Sequence, residues 1–349
     1  MVEVGDLAQA RRLLCTRLLN YLHGLEPALR EDVSAALALE GKLLHQPTSD
    51  LDGRWALLPF CLIQELGASS RDDPVGTEAA CDVALAMECV VSATDLLDDV
   101  MDEDATALIA RIGVARALNA ALALVSLSQR MLLALLKLDL PVLLPVRLMD
   151  MVQQAILLAS TGQQWDLLAE KRLACDLTRE ECLEIAAAKA GALLRLACQM
   201  GALCAGIEEA RIELCAETGR LLGIAAQLDN DAHDLSGLLQ PAGQPRCQKS
   251  DLARGKKTLP VVLAAHSLRA TYDLADRDID FQCLDQLALK EQEIYLIALR
   301  EGALTTWGVA LLYRERAREM LATLLGEHSI SPALLQVLGL DYTLAECLG

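Results

Sequence analysis

Residues 88–104, reading ECVVSATDLLDDVMDED, constrain this chain more than any other stretch. Seven acidic side chains stand there among Val90, Val91, Leu96, Leu97 and Val100. The preceding residues, 79–94, are apolar enough for a buried helix, so the acids close a core element rather than fill a solvated tail. At about 100° per residue, a helix places Asp95, Asp98, Asp99 and Asp102 within an arc of about 100°. Like charges one turn apart destabilise a helix by about 0.2–0.5 kcal/mol per pair. A hard divalent cation with oxygen ligands would relieve that repulsion. The alternative is a solvated acidic face.

A second acidic cluster favours the cation. Residues 227–234 read QLDNDAHD, and on a helix Gln227, Asn230, Asp231 and Asp234 again share an arc of about 100°. Such a helix can face the first across a bundle cavity. A basic stretch, QKSDLARGKKTLP at 248–260, follows closely. Two acidic helices and a lysine cluster suggest Mg²⁺ clamped onto a ligand's phosphates, because Mg²⁺ takes one or two carboxylates and completes its octahedron with phosphate oxygens and water.

Five segments together carry a family resemblance. Asp98-Asp99-Val100-Met101-Asp102 resembles the DDxxD motif of the trans-polyprenyl diphosphate synthase family. Residues 227–234 resemble its QxxDDxxD, with Asn230 at the first Asp. Gly255-Lys256-Lys257-Thr258-Leu259-Pro260 is similar to GKxTLP, Gly162-Gln163-Gln164-Trp165-Asp166 to GQxxD, and Lys189-Ala190-Gly191-Ala192-Leu193 to KTAxL. They occur in family order between residues 98 and 260. The resemblance is to a divergent member, similar to the pheromone-modifying prenyltransferase branch.

The resemblance implies a helical bundle around a central apolar cavity, and an enzyme that ionises an allylic prenyl diphosphate with Mg²⁺, three ions in all. It implies Asp98, Asp102, Asp231 and Asp234 as metal ligands, with Asp99 and Asn230 in support. Lys189, Lys249 and Lys256 would face the diphosphate, with Lys257 beside them. Gln163, Asp166 and Gln227 would hold waters or lysines in place. Ala93 and Thr94, five and four residues before DDxxD, are small and would admit a longer prenyl tail. Trp165 is the aromatic side chain beside a motif. A homodimer is also implied.

The acceptor side departs from the family pattern. Where a GKxxRP motif binds isopentenyl diphosphate, residues 53–59 read GRWALLP and retain only Arg54. The arginine pair after DDxxD is replaced by Ala107 and Leu108, with Arg111 further on. Four readings follow: elongation with isopentenyl diphosphate through a rearranged basic patch, a terpene synthase, a prenyltransferase with another acceptor, and an inactive partner subunit. Aromatic residues make up only 3% of the chain, which leaves few faces to guide carbocations and favours prenyl transfer over cyclisation.

Composition bounds the rest. A formal charge of −18 repels nucleic acid. The N-terminus lacks the basic and apolar regions of a signal peptide, and no uncharged apolar run reaches the roughly 18 residues of a membrane span, so a cytoplasmic protein without a transmembrane segment is expected. The 12 cysteines form no CxxC pair and the five histidines are dispersed, so neither zinc nor a disulfide framework is expected. His233 reads as solvent-facing or as a support to the second motif. Helical spacing predicts helices at 6–25, 27–44, 54–66, 77–101, 105–138, 148–169, 178–205, 208–235, 258–270, 290–302, 305–326 and 332–338. Thr178 and Glu181 are placed for a capping box. With no alternating segment, the expectation is one all-α domain over 1–349.

Overall fold

The computed structural model describes residues 6–46, 49, 51–67, 74–104, 106–235, 251–272, 279, 281–282, 284–325 and 330–341. Among these, every regular element is helical. In chain order they are α1 (Leu7–His23), α2 (Pro27–Ala36), α3 (Arg54–Leu66), α4 (Pro74–Met101), α5 (Ala107–Ile112), α6 (Val114–Ala134) and α7 (Leu143–Ala169). Then come α8 (Arg179–Ala186), α9 (Ala192–Cys204), α10 (Glu209–Asp234), α11 (Asp251–Arg254), α12 (Leu259–Tyr272), α13 (Leu289–Leu325) and α14 (Pro332–Leu338). A π-helical segment, Ala187–Gly191, joins α8 to α9.

The chain forms two compact units. One is drawn from Met1–Ile156, Arg195–Gly219 and Arg318–Gly349, the other from Leu157–Leu194 and Arg220–Ala317. In the first, α4 is the central helix. It packs against α3 and α6, and between Ala79 and Ala93 it buries every side chain. Two acids lie inside that buried run, and each is used. Asp82 accepts hydrogen bonds from Arg17 Nε at 2.6 Å, Arg17 Nη2 at 2.7 Å and Tyr21 at 2.9 Å, which fixes α1 to α4. Glu88 accepts from the Leu43 N–H at 2.7 Å and from the Ala56 N–H in the first turn of α3. Gly53, the N-cap of α3, offers no side chain, so a carboxylate from α4 caps that helix instead.

In the second unit α12 buries most of its first three turns and leaves His266 and Arg269 exposed. Leu259 and Val262 pack with Cys182, Ile224, Leu228 and Ala310. Val261, Ala265 and Leu268 pack with Phe281, Leu284, Tyr295 and Leu299. Phe281 and Tyr295 meet edge to face at 5.5 Å and 62°. The capping box forms as predicted: Thr178 Oγ1 accepts from the Glu181 N–H, and Glu181 Oε2 from the Thr178 N–H at 2.7 Å.

Three expectations need correction. The helix predicted over 27–44 stops at Ala36, and the chain turns through Gly41 at φ +76°. The stretch 105–138 is split into α5 and α6 by Gly113 at φ +80°, a left-handed value that a helix cannot contain. The two helices predicted over 290–302 and 305–326 are one 37-residue helix, α13. Gly302 does not end it. A Cβ there would lie 2.3 Å from the Pro260 carbonyl oxygen, so the glycine admits the close approach of α12. Val114–Lys137 and Leu143–Ala169 are each long and apolar enough to cross a membrane by length and composition, but Arg116 and Arg130 interrupt the first, and Arg147, Asp150 and Asp166 the second, so neither is an uncharged run. Ala117, Ala120, Ala121, Leu124, Leu127 and Met131 of α6 are core residues.

Candidate active site

The second acidic motif lies at the end of α10, within the second unit. Asp231 is buried, at 7% exposure, and its Oδ1 accepts from Gln227 Nε2 one turn earlier at 2.9 Å. Asp234 is half-buried and accepts from the Asp251 N–H at 2.8 Å, which fastens the start of α11 to the end of α10. Asp251 Oδ1 lies 3.8 Å from the buried Lys256 ammonium. The turn that presents Lys256 closes α11: the Lys256 N–H reaches the Asp251 carbonyl and the Gly255 N–H the Leu252 carbonyl, with Gly255 at φ +79°. That is the left-handed cap glycine favours. Lys257 Nζ donates to the Gly255 carbonyl.

Lys189 stands in the middle of the π segment. Its ammonium donates to Asp166 on α7 at 2.7 Å, and both side chains are about seven-eighths buried, at 14% and 13% exposure. π turns are rare and recur at functional sites. Gln163, one turn before Asp166, is buried. Burial pushes the Asp231 carboxyl up to about 7; the Gln227 hydrogen bond pulls the other way, while Asp251 and Asp166 add to the rise and Lys189 opposes it. Asp234 is raised too, by burial, against the Asp251 N–H, Lys256 and His233. A carboxylate held this far from its ordinary ionisation is one that a cation would stabilise. Asn230 and His233 are exposed.

The first motif ends α4, within the first unit. The Asp104 N–H bonds the Asp99 carbonyl and the Glu103 N–H the Val100 carbonyl, the same cap that ends α11 but with Glu103, at φ +56°, in the glycine position. Asp98, Asp99 and Asp102 are partly exposed on the last turn, where the helix dipole is negative and acids are least favoured without a cation. Among the described residues, no three His, Cys, Asp or Glu converge to hold a metal alone. The donors are all oxygens, which suits Mg²⁺ completed by phosphate and water.

The remaining candidates divide. Ala93 is fully buried on α4, and the Thr94 hydroxyl donates to the Val91 carbonyl at 3.0 Å. Arg54 is turned to the other end of the chain, its Nε donating to the Val337 carbonyl at the close of α14. Arg111 is exposed on the last turn of α5, and Trp165 is 43% exposed on α7. Lys249 lies outside the described residues. Sequence reasoning missed Lys42, which is buried at 5% exposure with its ammonium on Asp95, one turn before Asp98. Its signal is the Gly41-Lys42 pair, a glycine followed by a base like Gly53-Arg54. Glu88 was missed as well; acids inside an apolar run are worth following to a partner. Asp229, inside the second motif, pairs with Arg314 of α13.

The polyprenyl synthetase family model matches residues 57–283. Geranylgeranyl diphosphate synthase of Mycobacterium tuberculosis is 35% identical over 192 residues, covering 53% of this chain and 52% of that protein. The (2E,6E)-farnesyl diphosphate synthase of Mycobacterium bovis is 30% identical over 261 residues, covering 73% and 68%. The crystal structure of a polyprenyl synthetase from Streptomyces coelicolor A3(2) superposes with a TM-score of 0.69 at 25% identity, covering 95% of this chain and 97% of that one. The chain thus spans about half the length of the first of these relatives and about two thirds of the second. With a family match over well more than half of its residues, an all-α fold shared with these synthases and the motifs in order, the chain belongs to the polyprenyl synthetase family.

Proposed function

We propose that this chain is a prenyltransferase that ionises an allylic prenyl diphosphate. The observation that carries the reading is the buried cluster of Lys189, Asp166, Gln227 and Asp231, with Asp234, Asp251 and Lys256 continuing it. Lysines and acids confined together out of water suit a polyanion bound with cations. The residues would divide the work. Lys189 and Lys256 donate to the leaving diphosphate, and with them we place Lys249 and Lys257. Asp166 holds the Lys189 ammonium, Gln227 holds the Asp231 carboxylate, and Gln163 orders the polar floor beneath them. Asp98, Asp99 and Asp102 on α4, and Asn230, Asp231 and Asp234 on α10, would hold magnesium, three ions by the family pattern. Magnesium, when bound, neutralises charge building on the departing diphosphate. The allylic C–O bond then breaks against donors already in place, the preorganisation that contributes most to such reactions. The small Ala93 and Thr94 leave room for the prenyl tail.

A second reading rests on Ala107 and Leu108, which stand where a basic pair would be; Arg54 is engaged at the end of α14, while Lys42 remains on the acidic helix. This favours transfer to an acceptor other than isopentenyl diphosphate. Exposed Leu118, Leu122 and Leu133 on α6 and Val146 and Leu157 on α7 support a homodimer, and the enzyme is proposed to work in the cytoplasm. The test is a product assay with magnesium and geranyl, farnesyl or geranylgeranyl diphosphate, with and without isopentenyl diphosphate. A longer diphosphate formed only with isopentenyl diphosphate supports elongation, and a hydrocarbon or alcohol formed without it supports a synthase. Asp98→Ala and Asp231→Ala are expected to lose diphosphate release by 100-fold or more while staying folded, on the order expected for groups that support transition-state charge. Normal turnover in both would remove the assignment.

A further inference from the structure

We propose that Gly162 and Gly223 are positioning residues: without side chains, they let α7 and α10 close on the π segment and so set the separations among Asp166, Lys189 and Asp231. The proposal rests on the reading of this cluster as the diphosphate site. Glycine is a poor helix former, yet both stand inside helices. An ideal Cβ on Gly162 would lie 2.8 Å from the Lys189 nitrogen and 2.9 Å from the Ala188 carbonyl carbon. On Gly223 it would lie 2.4 Å from the Ala190 oxygen and 2.6 Å from the Gly191 Cα. These are backbone atoms that cannot rotate aside, so a methyl group at either position must move a helix. Both helices thus bear on the same five-residue π segment, backbone to backbone.

The register turns this contact into function. Gly162 is one helical turn before Asp166, and Gly223 is one turn before Gln227 and two before Asp231, so each glycine shares a face with the groups it would place. Lys189 lies in the segment between them. Its bond to Asp166 is at 2.7 Å, the short end of the roughly 2.7–3.2 Å range of such bonds, so a helix displaced by the added methyl takes the pair out of that range. Gly201 supplies the contrast. Its Cβ would also be crowded, at 2.9 Å from Leu62 Cβ and 3.2 Å from the Pro59 backbone, but against α3.

The experiment uses the full chain with Gly162→Ala, Gly223→Ala and, as the packing control, Gly201→Ala. The first arm needs no ligand: a double-mutant cycle of Lys189→Met and Asp166→Asn, read as the shift in Tm. The coupling is expected in the wild-type and Gly201→Ala backgrounds and lost in the other two. The second arm is diphosphate release from an allylic diphosphate with magnesium. Gly162→Ala and Gly223→Ala should each lower kcat at least tenfold, Gly201→Ala less than threefold, and Gly162→Ala, which acts through Asp166 on Lys189, should cost nothing further once Lys189 is Met. If Gly223→Ala fails to fold, Gly162→Ala with Ala188→Gly replaces it, since Ala188 Cβ lies 2.8 Å from the added methyl; part of the coupling should then return. Coupling retained in the glycine variants, or losses no larger than the control's, overturns the proposal. A wild-type chain that releases no diphosphate removes the functional reading instead, and the coupling arm alone then decides the spacing.

Discussion

Replacing Asp231 by Asn should make the ligand-free protein more stable and the enzyme inactive. Asp231 is 7% exposed and its carboxyl rises from 3.8 to about 7, chiefly through burial. Below pH 4 the group is protonated in folded and unfolded chains alike and contributes no pH dependence. Between pH 4 and 7 the unfolded chain has released the proton and the folded chain keeps it, so stability falls as pH rises. Above pH 7 the full penalty is present. A shift of about three units corresponds to roughly 4 kcal/mol. Asparagine keeps the oxygen that accepts from Gln227 and cannot ionise. Urea unfolding at pH 4.5, 6 and 8, without divalent cations, should show the variant's advantage growing with pH toward that figure. With magnesium and inorganic diphosphate added, the order should reverse, because only the wild-type carboxylate gains binding energy. Parallel pH curves, or a variant less stable at pH 8 without ligand, would refute the reasoning.

Arg17→Met should cost about 3–5 kcal/mol in guanidine unfolding, since it strands the buried Asp82 carboxylate; Arg147→Ala, which breaks an exposed pair with Glu209, should change stability by no more than about 0.5 kcal/mol. Glu103→Gly should raise stability by about 1 kcal/mol, because Glu103 holds a left-handed φ of 56° at the end of α4; a lower Tm would contradict the cap. Gly308→Ala, within α13 with nothing inside 4 Å of the added methyl, should raise stability by about 0.5–1 kcal/mol in thermal unfolding.

The all-α class, the two acidic helices and the capping box at Thr178 were legible because each is a local pattern: an apolar period of 3.6, acids on one arc, a Ser/Thr with a Glu three residues on. The end of α14 was legible for the same reason, with Pro332 opening the helix and Gly339 closing it at φ +66°. What stayed hidden depends on distant backbone. Gly113 breaks a helix and Gly302 does not, yet both are single glycines in helical sequence; the difference lies in Pro260, about forty residues from Gly302. The π turn has no sequence signature of its own, and neither do the glycines packed on it. Lys42 and Arg54 are each the basic residue after a glycine. Only the fold shows Lys42 directed at the acidic helix and Arg54 directed at α14.

The bond between Arg54 and Val337 joins residues 283 positions apart, and the first unit draws on three separate stretches of the chain. A ribosome making this protein has produced α1 to α6 long before it reaches α14. Until then the start of α3 lacks its partner at residue 337, and the unit's apolar surfaces wait uncovered through most of synthesis. Completion of that unit is therefore a late event, tied to the emergence of α14 rather than to the order in which the earlier helices appear. Changes near residue 337 would act on the earlier-made α3, not only on α14.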